Sequence, residues 1–370
     1  MSWGCGSSTS DSGRAPGGAG GAAGDDASGA SDDGGSSHGG SSHGGAGQSG
    51  GAAAGAGADA RAGDAGQAGN ADELGAGSAG ASGLGEGGAA GQSADTARFE
   101  PWALWPMPNA ASAGLPNPAS YDTSTDGVVL DQVTGLIWQA NVSSDVDDWQ
   151  SAQAYCATLS LAGRADWRLP SRIELMSIVD ETVAKPGPVI DGAAFPDAPN
   201  TLFWTASLLA TNTDRAWYVE FDNGFAFSDS ISAEYSVRCV SSPRPAEPPA
   251  MRYAISDGLV TDTETGLVWQ QTDAGGSYTF AAAQQHCADL GGGFRAPSVK
   301  ELLTLVDESR AYPAADPSVF TSIPTDNGLP SCYQTSTPLA GTSISWLVCF
   351  DEGRPTYDSV NDAYRVLCVR

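Results

Sequence analysis

The sequence predicts an α+β protein. Two tandem copies of one domain, each with two helices, antiparallel strands and a long loop region, follow a disordered Gly/Ala/Ser-rich tail. The main support is a repeat: DGVVLDQVTGLIWQ at 126–139 returns as DGLVTDTETGLVWQ at 257–270, and the match runs on to the C-terminus. Within each copy, apolar residues recur at helical spacing in two places and alternate elsewhere. Ahead of the copies, residues 1–98 hold almost no large apolar side chain, since all ten Phe and nine of the ten Trp lie at or beyond position 99.

The tail cannot bury enough surface to offset chain entropy, so a flexible spacer is expected over 1–98. Cys5 follows a small residue and precedes a Gly/Ser run. That pattern resembles the end of a bacterial lipoprotein signal and makes Cys5 a candidate lipidation site; otherwise it is a stray Cys of the tail. A Pro-rich linker is expected over 99–120, the first domain over 121–241, a short linker over 242–251 and the second domain over 252–370.

Each domain opens with a strand, a turn at Gly135 or Gly266 and a second strand ending in Trp138 or Trp269. An amphipathic helix follows, WQSAQAYCATL at 149–159 against FAAAQQHCADL at 280–290. A second helix starts at a Pro-Ser pair. Ser171 with Glu174, and Ser298 with Glu301, have the spacing of a capping box, in which the Ser hydroxyl and the Glu carboxylate each serve a backbone N–H of the first turn. Arg168 and Arg295 stand just before it, and an Arg beside a buried strand usually pairs with a carboxylate, with Asp126 or Asp131 as candidates. Regularity then stops for about thirty residues, a length that in a compact domain usually signals function. Aromatic strands are expected at 202–207, 216–221 and 235–240.

Setting Cys5 aside, six Cys remain, which allow 15 pairings in the abstract. The repeat narrows them. Cys156 aligns with Cys287 and Cys239 with Cys368, so Cys156–Cys239 and Cys287–Cys368 are the natural pairs. Cys332 and Cys349 exist only in the second copy and should pair with each other. Such bridges contribute about 3–5 kcal/mol each and imply an oxidising compartment, hence a secreted or outer-surface protein.

Two helices, an irregular region, antiparallel strands and a helix-to-last-strand disulfide resemble the C-type lectin-like fold. The wording D-G-x-V-x-D-x-x-T-G-L-x-W-Q, then R-L-P-S-x-x-E-L, F-W-T-A-S, A-W-Y-V-x-F and V-R-C-V resembles the Lcl C-terminal domain family. The resemblance covers nearly all of 121–241 and 252–370, and implies two tandem C-type lectin-like domains in a bacterial envelope or secreted protein. The family's namesake is a collagen-like adhesin that binds sulfated glycans. This chain departs from it in having no collagen stalk and two acidic domains. The wording R-L-P-S-x-x-E also resembles formylglycine-generating oxidases, whose chemistry needs a reactive Cys pair. Here the domain Cys are accounted for as disulfides, and the reading is non-catalytic.

Formal net charge is −27, with −11 over 121–241 and −7 over 252–370. That argues against nucleic acid, polyanions and anionic lipid as partners and permits cations and neutral glycans. A membrane would be reached only through the lipid anchor. The expected partner is a surface glycan or a protein; the alternative is a structural envelope role with no ligand. Candidate ligand-binding residues come from positions where the copies differ or where oxygen donors precede a Gly. Trp204 stands where the second copy has Gln334, which suggests an exposed sugar-stacking ring. Asp222, Asn223, Asp351 and Glu352 are either hairpin turns or oxygen ligands, with Arg215 and Arg354 beside them. No motif for calcium, another metal or a cofactor is present.

Overall fold

The computed structural model describes residues 102–142, 147–242, 251–325 and 331–370. Cys5, the tail and residues 243–250 of the expected linker lie outside the described residues. Both copies belong to a single compact unit.

The first copy has one sheet in the order β1-β2-β3-β8-β4, from Tyr121–Asp122, Val128–Asp131, Ile137–Gln139, Val240–Ser241 and Trp167–Arg168. A second sheet runs β5 (Leu202–Leu209), β6 (Asn212–Glu220) and β7 (Ala226–Ser230), all antiparallel. Helices α1 (Trp149–Thr158) and α2 (Arg172–Ser177) complete it. The second copy repeats the plan. β9 (Tyr253–Ser256), β10 (Leu259–Asp262) and β11 (Val268–Gln270) form one sheet, and β12 (Cys332–Pro338), β13 (Ile344–Cys349) and β14 (Arg354–Ser359) the other. Its helices are α3 (Phe280–Asp289) and α4 (Val299–Leu303).

The local devices form as the sequence suggests. Gly135 and Gly266 both take φ +74°, a left-handed conformation that Gly adopts without a Cβ clash. Ser171 Oγ accepts from Glu174 N at 3.0 Å while Glu174 Oε2 accepts from Ser171 N at 2.7 Å, and Ser298 with Glu301 repeats this box. The disulfides are Cys156–Cys239, Cys287–Cys368 and Cys332–Cys349.

Several expectations change. Arg168 and Arg295 pair not with Asp126 or Asp131 but with the capping carboxylates, Glu174 at 2.5 and 2.6 Å and Glu301 at 2.6 Å. One carboxylate thus serves the helix N-terminus and an arginine together. The expected strand at 235–240 is extended chain held by isolated bridges at Tyr235 and Ser236, and only Val240–Ser241 is a strand. The third strand of that sheet is instead β7. The irregular stretches are not free loops, for Val189, Ile190 and Phe195 in one, and Ala314, Phe320 and Ile323 in the other, are buried. Nor is 102–109 an open linker: Ala103, Trp105, Met107, Pro108 and Asn109 are buried.

One apolar core runs through both copies, joining Val129, Trp138 and Phe221 to Val260, Trp269 and Phe350, with Ala103, Trp105 and Met107 included. Helices α2 and α4 meet at the seam, every residue of each buried, Arg172 and Lys300 among them. Arg172 Nε donates to Glu308 Oε1 at 2.8 Å, and Ser207 Oγ donates to Glu308 Oε2 at 2.7 Å. The guanidinium lies 3.9 Å from the Trp217 ring centroid and also reaches the Glu352 carbonyl at 3.4 Å. In the reverse direction, Lys300 Nζ donates to Ser177 O at 2.9 Å and stands 3.8 Å from Glu181 Oε1. Glu181 and Glu308 are equivalent positions of the repeat. Gly353 (φ +72°) lets the β13–β14 turn close on this seam: an added Cβ would lie 2.4 Å from Val306 Cγ1 and 3.1 Å from Arg172.

Breaking one partner of a buried ion pair leaves an uncompensated charge. Glu308→Gln is therefore expected to lower unfolding free energy by about 3–5 kcal/mol. Arg172→Met combined with Glu308→Leu should recover most of it in urea denaturation. A Glu308→Gln protein as stable as the parent would show that the pair contributes nothing.

Candidate functional site

The residues singled out from sequence do not assemble into one site. Trp204 is 0% exposed, and its ring packs 4.6 Å from that of Tyr235. Gln334 is equally buried. The reason they exchange lies in one hydrogen bond. Trp204 Nε1 donates to Asp147 O at 2.9 Å, and Gln334 Nε2 donates to Tyr278 O at 3.3 Å, the equivalent carbonyl. Two unlike side chains deliver the same buried donor, so neither is a sugar-stacking platform.

Asp222, Asn223, Asp351 and Glu352 hold turns. Asn223 Oδ1 accepts from Phe225 N at 2.8 Å, and Asn223 Nδ2 donates to Glu220. Asp351 Oδ1 accepts from Glu352 N at 2.9 Å, and Arg354 lies 3.7 Å from Asp351. Glu352 Oε1 accepts from Thr211 Oγ1 at 3.2 Å, across the seam. Gly187 N donates to the Asp222 carbonyl at 2.9 Å, and Tyr312 N to that of Asp351 at 2.7 Å, so both turns brace the preceding irregular stretch. Arg215 is tied to Ser228 through its carbonyl and hydroxyl, with Asp229 at 4.0 Å.

A roomier concavity lies elsewhere. A cleft of about 870 Å³ opens between the second copy, the segment before the first copy, and the start of the first copy's irregular stretch. Its walls are the exposed face of α3 (Ala281, Gln284, Gln285, Ala288), the end of β12 (Ser336, Thr337, Pro338), and Ala110, Ser112, Ala113 and Leu115. Arg295, Ala296 and Ser298 line it too, with Glu181 and Thr182 contributed by the first copy. The Ala110–Leu115 wall is anchored through Asn109. Asn109 N donates to Asn117 O at 2.9 Å, Ala119 N to Asn109 O at 2.8 Å, and Ser298 Oγ to Asn109 Oδ1 at 2.5 Å. Sequence reasoning missed this wall by reading 99–120 as a linker. The available signal was W-A-L-W-P-M-P-N at 102–109, apolar enough to be buried.

The two charges that line the cleft each face an opposite charge, Arg295 through hydrogen bonds and Glu181 only through proximity. Arg295 is held bidentate by Glu301, and Glu181 faces Lys300. What remains to a ligand is amide, hydroxyl and small apolar surface. Among the described residues no group of three or more His, Cys, Asp or Glu is gathered.

The copies differ in how well the seam acids are served. Asp262 takes Arg252 at 2.8 and 3.3 Å, and Glu308 takes Arg172 and Ser207. Their first-copy equivalents share Lys300, while Asp131 Oδ2, Glu181 Oε1 and the Ser177 hydroxyl have no hydrogen-bond partner among the described residues. Burial pushes the Glu181 carboxyl up, against the pull of Lys300, and pushes Asp131 up despite N–H donors from Val133 and Thr134.

A family model described as the Lcl C-terminal domain matches residues 127–241 and 258–370. No curated protein matches the chain. The segment that walls the cleft, Asn109–Leu115, lies outside both matched regions.

A carboxyl whose folded pKa exceeds its unfolded value binds more protons folded than unfolded, so stability is full below the unfolded value and falls as pH rises through the folded one. For Asp131 and Glu181 the decline starts near the ordinary values of 3.8 and 4.5 and continues upward. Urea-unfolding free energies measured as a pH series should fall over that window, and Glu181→Gln should flatten part of the slope. An unchanged slope in Glu181→Gln would rule Glu181 out as the source.

Proposed function

Since the chain belongs to the Lcl C-terminal domain family and carries its domain twice, we propose that it is an extracellular, non-catalytic recognition protein whose ligand, a neutral glycan, sits in the 870 Å³ cleft. Tandem domains of this family suit extracellular binding, and the family is not a known enzyme family. Three disulfides fit an oxidising compartment. Among the described residues no helix is long and apolar enough to cross a membrane. Cys5 as a lipid anchor would place the protein on an outer surface, with the tail as spacer.

The observation that carries the reading is a neutral cleft in an acidic molecule. Small-molecule sites are concave, and this volume falls in the usual range of about 300–1,000 Å³. Ala281, Ala288 and Ala296 leave room, while Gln284, Gln285, Ser336 and Thr337 offer donors and acceptors in the mix that sugar hydroxyls need. A charged ligand would have to compete with Arg295–Glu301 or Lys300–Glu181, whereas a neutral one would not. The disulfides that tie α1 and α3 to the C-terminal segment of each copy, and the two-sheet plan, also support a lectin-like reading.

The test is a glycan array probed with the whole chain, with and without calcium. Ala281→Trp, which fills the cleft from the exposed face of α3, should weaken any hit at least about tenfold, the order expected when a buried contact set worth about 1.4 kcal/mol or more is lost. Asn223→Ala, in the first-copy turn away from the cleft, should leave it unchanged. No bound glycan under either condition would sink the glycan reading and favour a structural envelope role. A hit insensitive to Ala281→Trp would move the site off the cleft.

A further inference from the structure

We propose that an aromatic shelf on the seam between the copies takes an arginine or lysine side chain from a basic segment of a partner protein. The shelf is built by β7 and β14, outer strands of the β5–β7 and β12–β14 sheets, which lie against each other at the seam. Among the described residues, most aromatic rings are buried or half-buried. Phe227 and Tyr357 are not, at 39% and 41% exposed, and they stand on these two strands. Phe225 links them, stacked on Tyr357 with centroids 4.5 Å apart and planes at 15°, and edge-on to Phe227 at 6.1 Å.

The molecule already shows what this surface attracts. Lys185, exposed on the irregular stretch of the first copy, places its ammonium 4.0 Å from the Phe225 centroid and 4.8 Å from that of Tyr357. An ammonium or guanidinium over an aromatic face gains from the ring quadrupole, and arginine is the commoner partner. Lys185 leaves the Phe227 ring uncovered. Carboxylates flank the shelf: burial pulls the Lys185 ammonium below its usual value against the attraction of Asp222 and Glu220, and burial, with Glu220 and Asp229, pushes the neighbouring Tyr218 phenol up. Both copies are acidic, within a chain of net charge −27, so the long-range field draws cations and repels anions.

Shape decides between a small cation and a protein segment. Small ligands favour concave sites, and this surface is formed by two adjoining strands and lines none of the cavities described here. It presents the partly exposed rings of Phe227 and Tyr357 with acidic flanks, which suits a guanidinium that projects from an extended basic segment and shares or displaces the Lys185 ammonium. The cleft on α3 uses none of these residues, so the two surfaces are independent.

The experiment titrates the whole chain with an arginine-bearing Gly/Ser peptide and, in parallel, with the same peptide carrying citrulline, which keeps the shape and removes the charge. Binding is followed by NMR of the aromatic side chains. The arginine peptide should move the Phe227 and Tyr357 ring signals and the citrulline peptide should not. Phe227→Leu and Tyr357→Leu keep apolar packing and remove the π face; each should weaken the arginine peptide about two- to fivefold, the size of an exposed cation–π contact. Lys185→Met, which removes the resident ammonium, should strengthen it by a similar factor. Ala281→Trp should have no effect, which separates this site from the cleft. Equal binding of the citrulline peptide would overturn the proposal. So would arginine binding that both Leu variants leave intact, since that is the diffuse acidic field alone. A neutral oligosaccharide that shifts the same rings more strongly than the peptide would assign the shelf to sugar instead.

Discussion

Glu181 and Glu308, the same position in two copies of one repeat, each face a cation carried on the other copy's short helix. Arg172 reaches Glu308 directly and Lys300 stands near Glu181, all four side chains nearly devoid of solvent. A charge in that position is tolerable only with its partner in place, because desolvation costs several kcal/mol per ion and the mutual attraction must offset it. Separating the copies would expose the apolar core they share and strand these charges. The two domains are therefore halves of one folded body, and the seam is its most constrained layer.

Both proposed surfaces depend on that seam. The cleft takes Glu181 and Thr182 from the first copy and most of its lining from the second, so it exists only when the halves are docked. Its remaining wall comes from Asn109–Leu115, pinned by Asn109 to the capping box of α4. The carboxylate that caps that helix, Glu301, also holds Arg295 at the cleft's edge. The aromatic shelf has the same origin, since Phe225 stacks on Tyr357 only because β7 and β14 are brought together.

Much of the frame was legible in the sequence, and the instructive failures share a cause. Trp204 against Gln334 looked like drift at an exposed site. Both are buried donors to equivalent carbonyls, a requirement visible only when Asp147 and Tyr278 are seen beside them. Arg168 was expected to meet a strand aspartate and instead meets the glutamate six residues ahead, which already served the helix cap. The oxygen-rich turns at 222–223 and 351–352 brace their neighbours rather than converge on one site: Asn223 and Asp351 accept backbone N–H groups and the Asp222 and Asp351 carbonyls hold the preceding irregular stretches, while Asp222 Oδ1 is buried with no hydrogen-bond partner among the described residues.

The sequence alone determined what is local or repeated. The capping boxes, the Gly turns and the α1 and α3 helices follow from spacings of a few residues, where backbone geometry settles which groups can meet. The disulfides followed from the duplication, because two equivalent pairs and one extra pair leave little choice. Only the tertiary structure decided which faces of the copies are covered by each other, which arginine and lysine are buried, and that 102–109 is core. Those are properties of surfaces far apart in the chain: a charged residue in a short helix reads as solvated until another element removes the water and supplies the opposite charge.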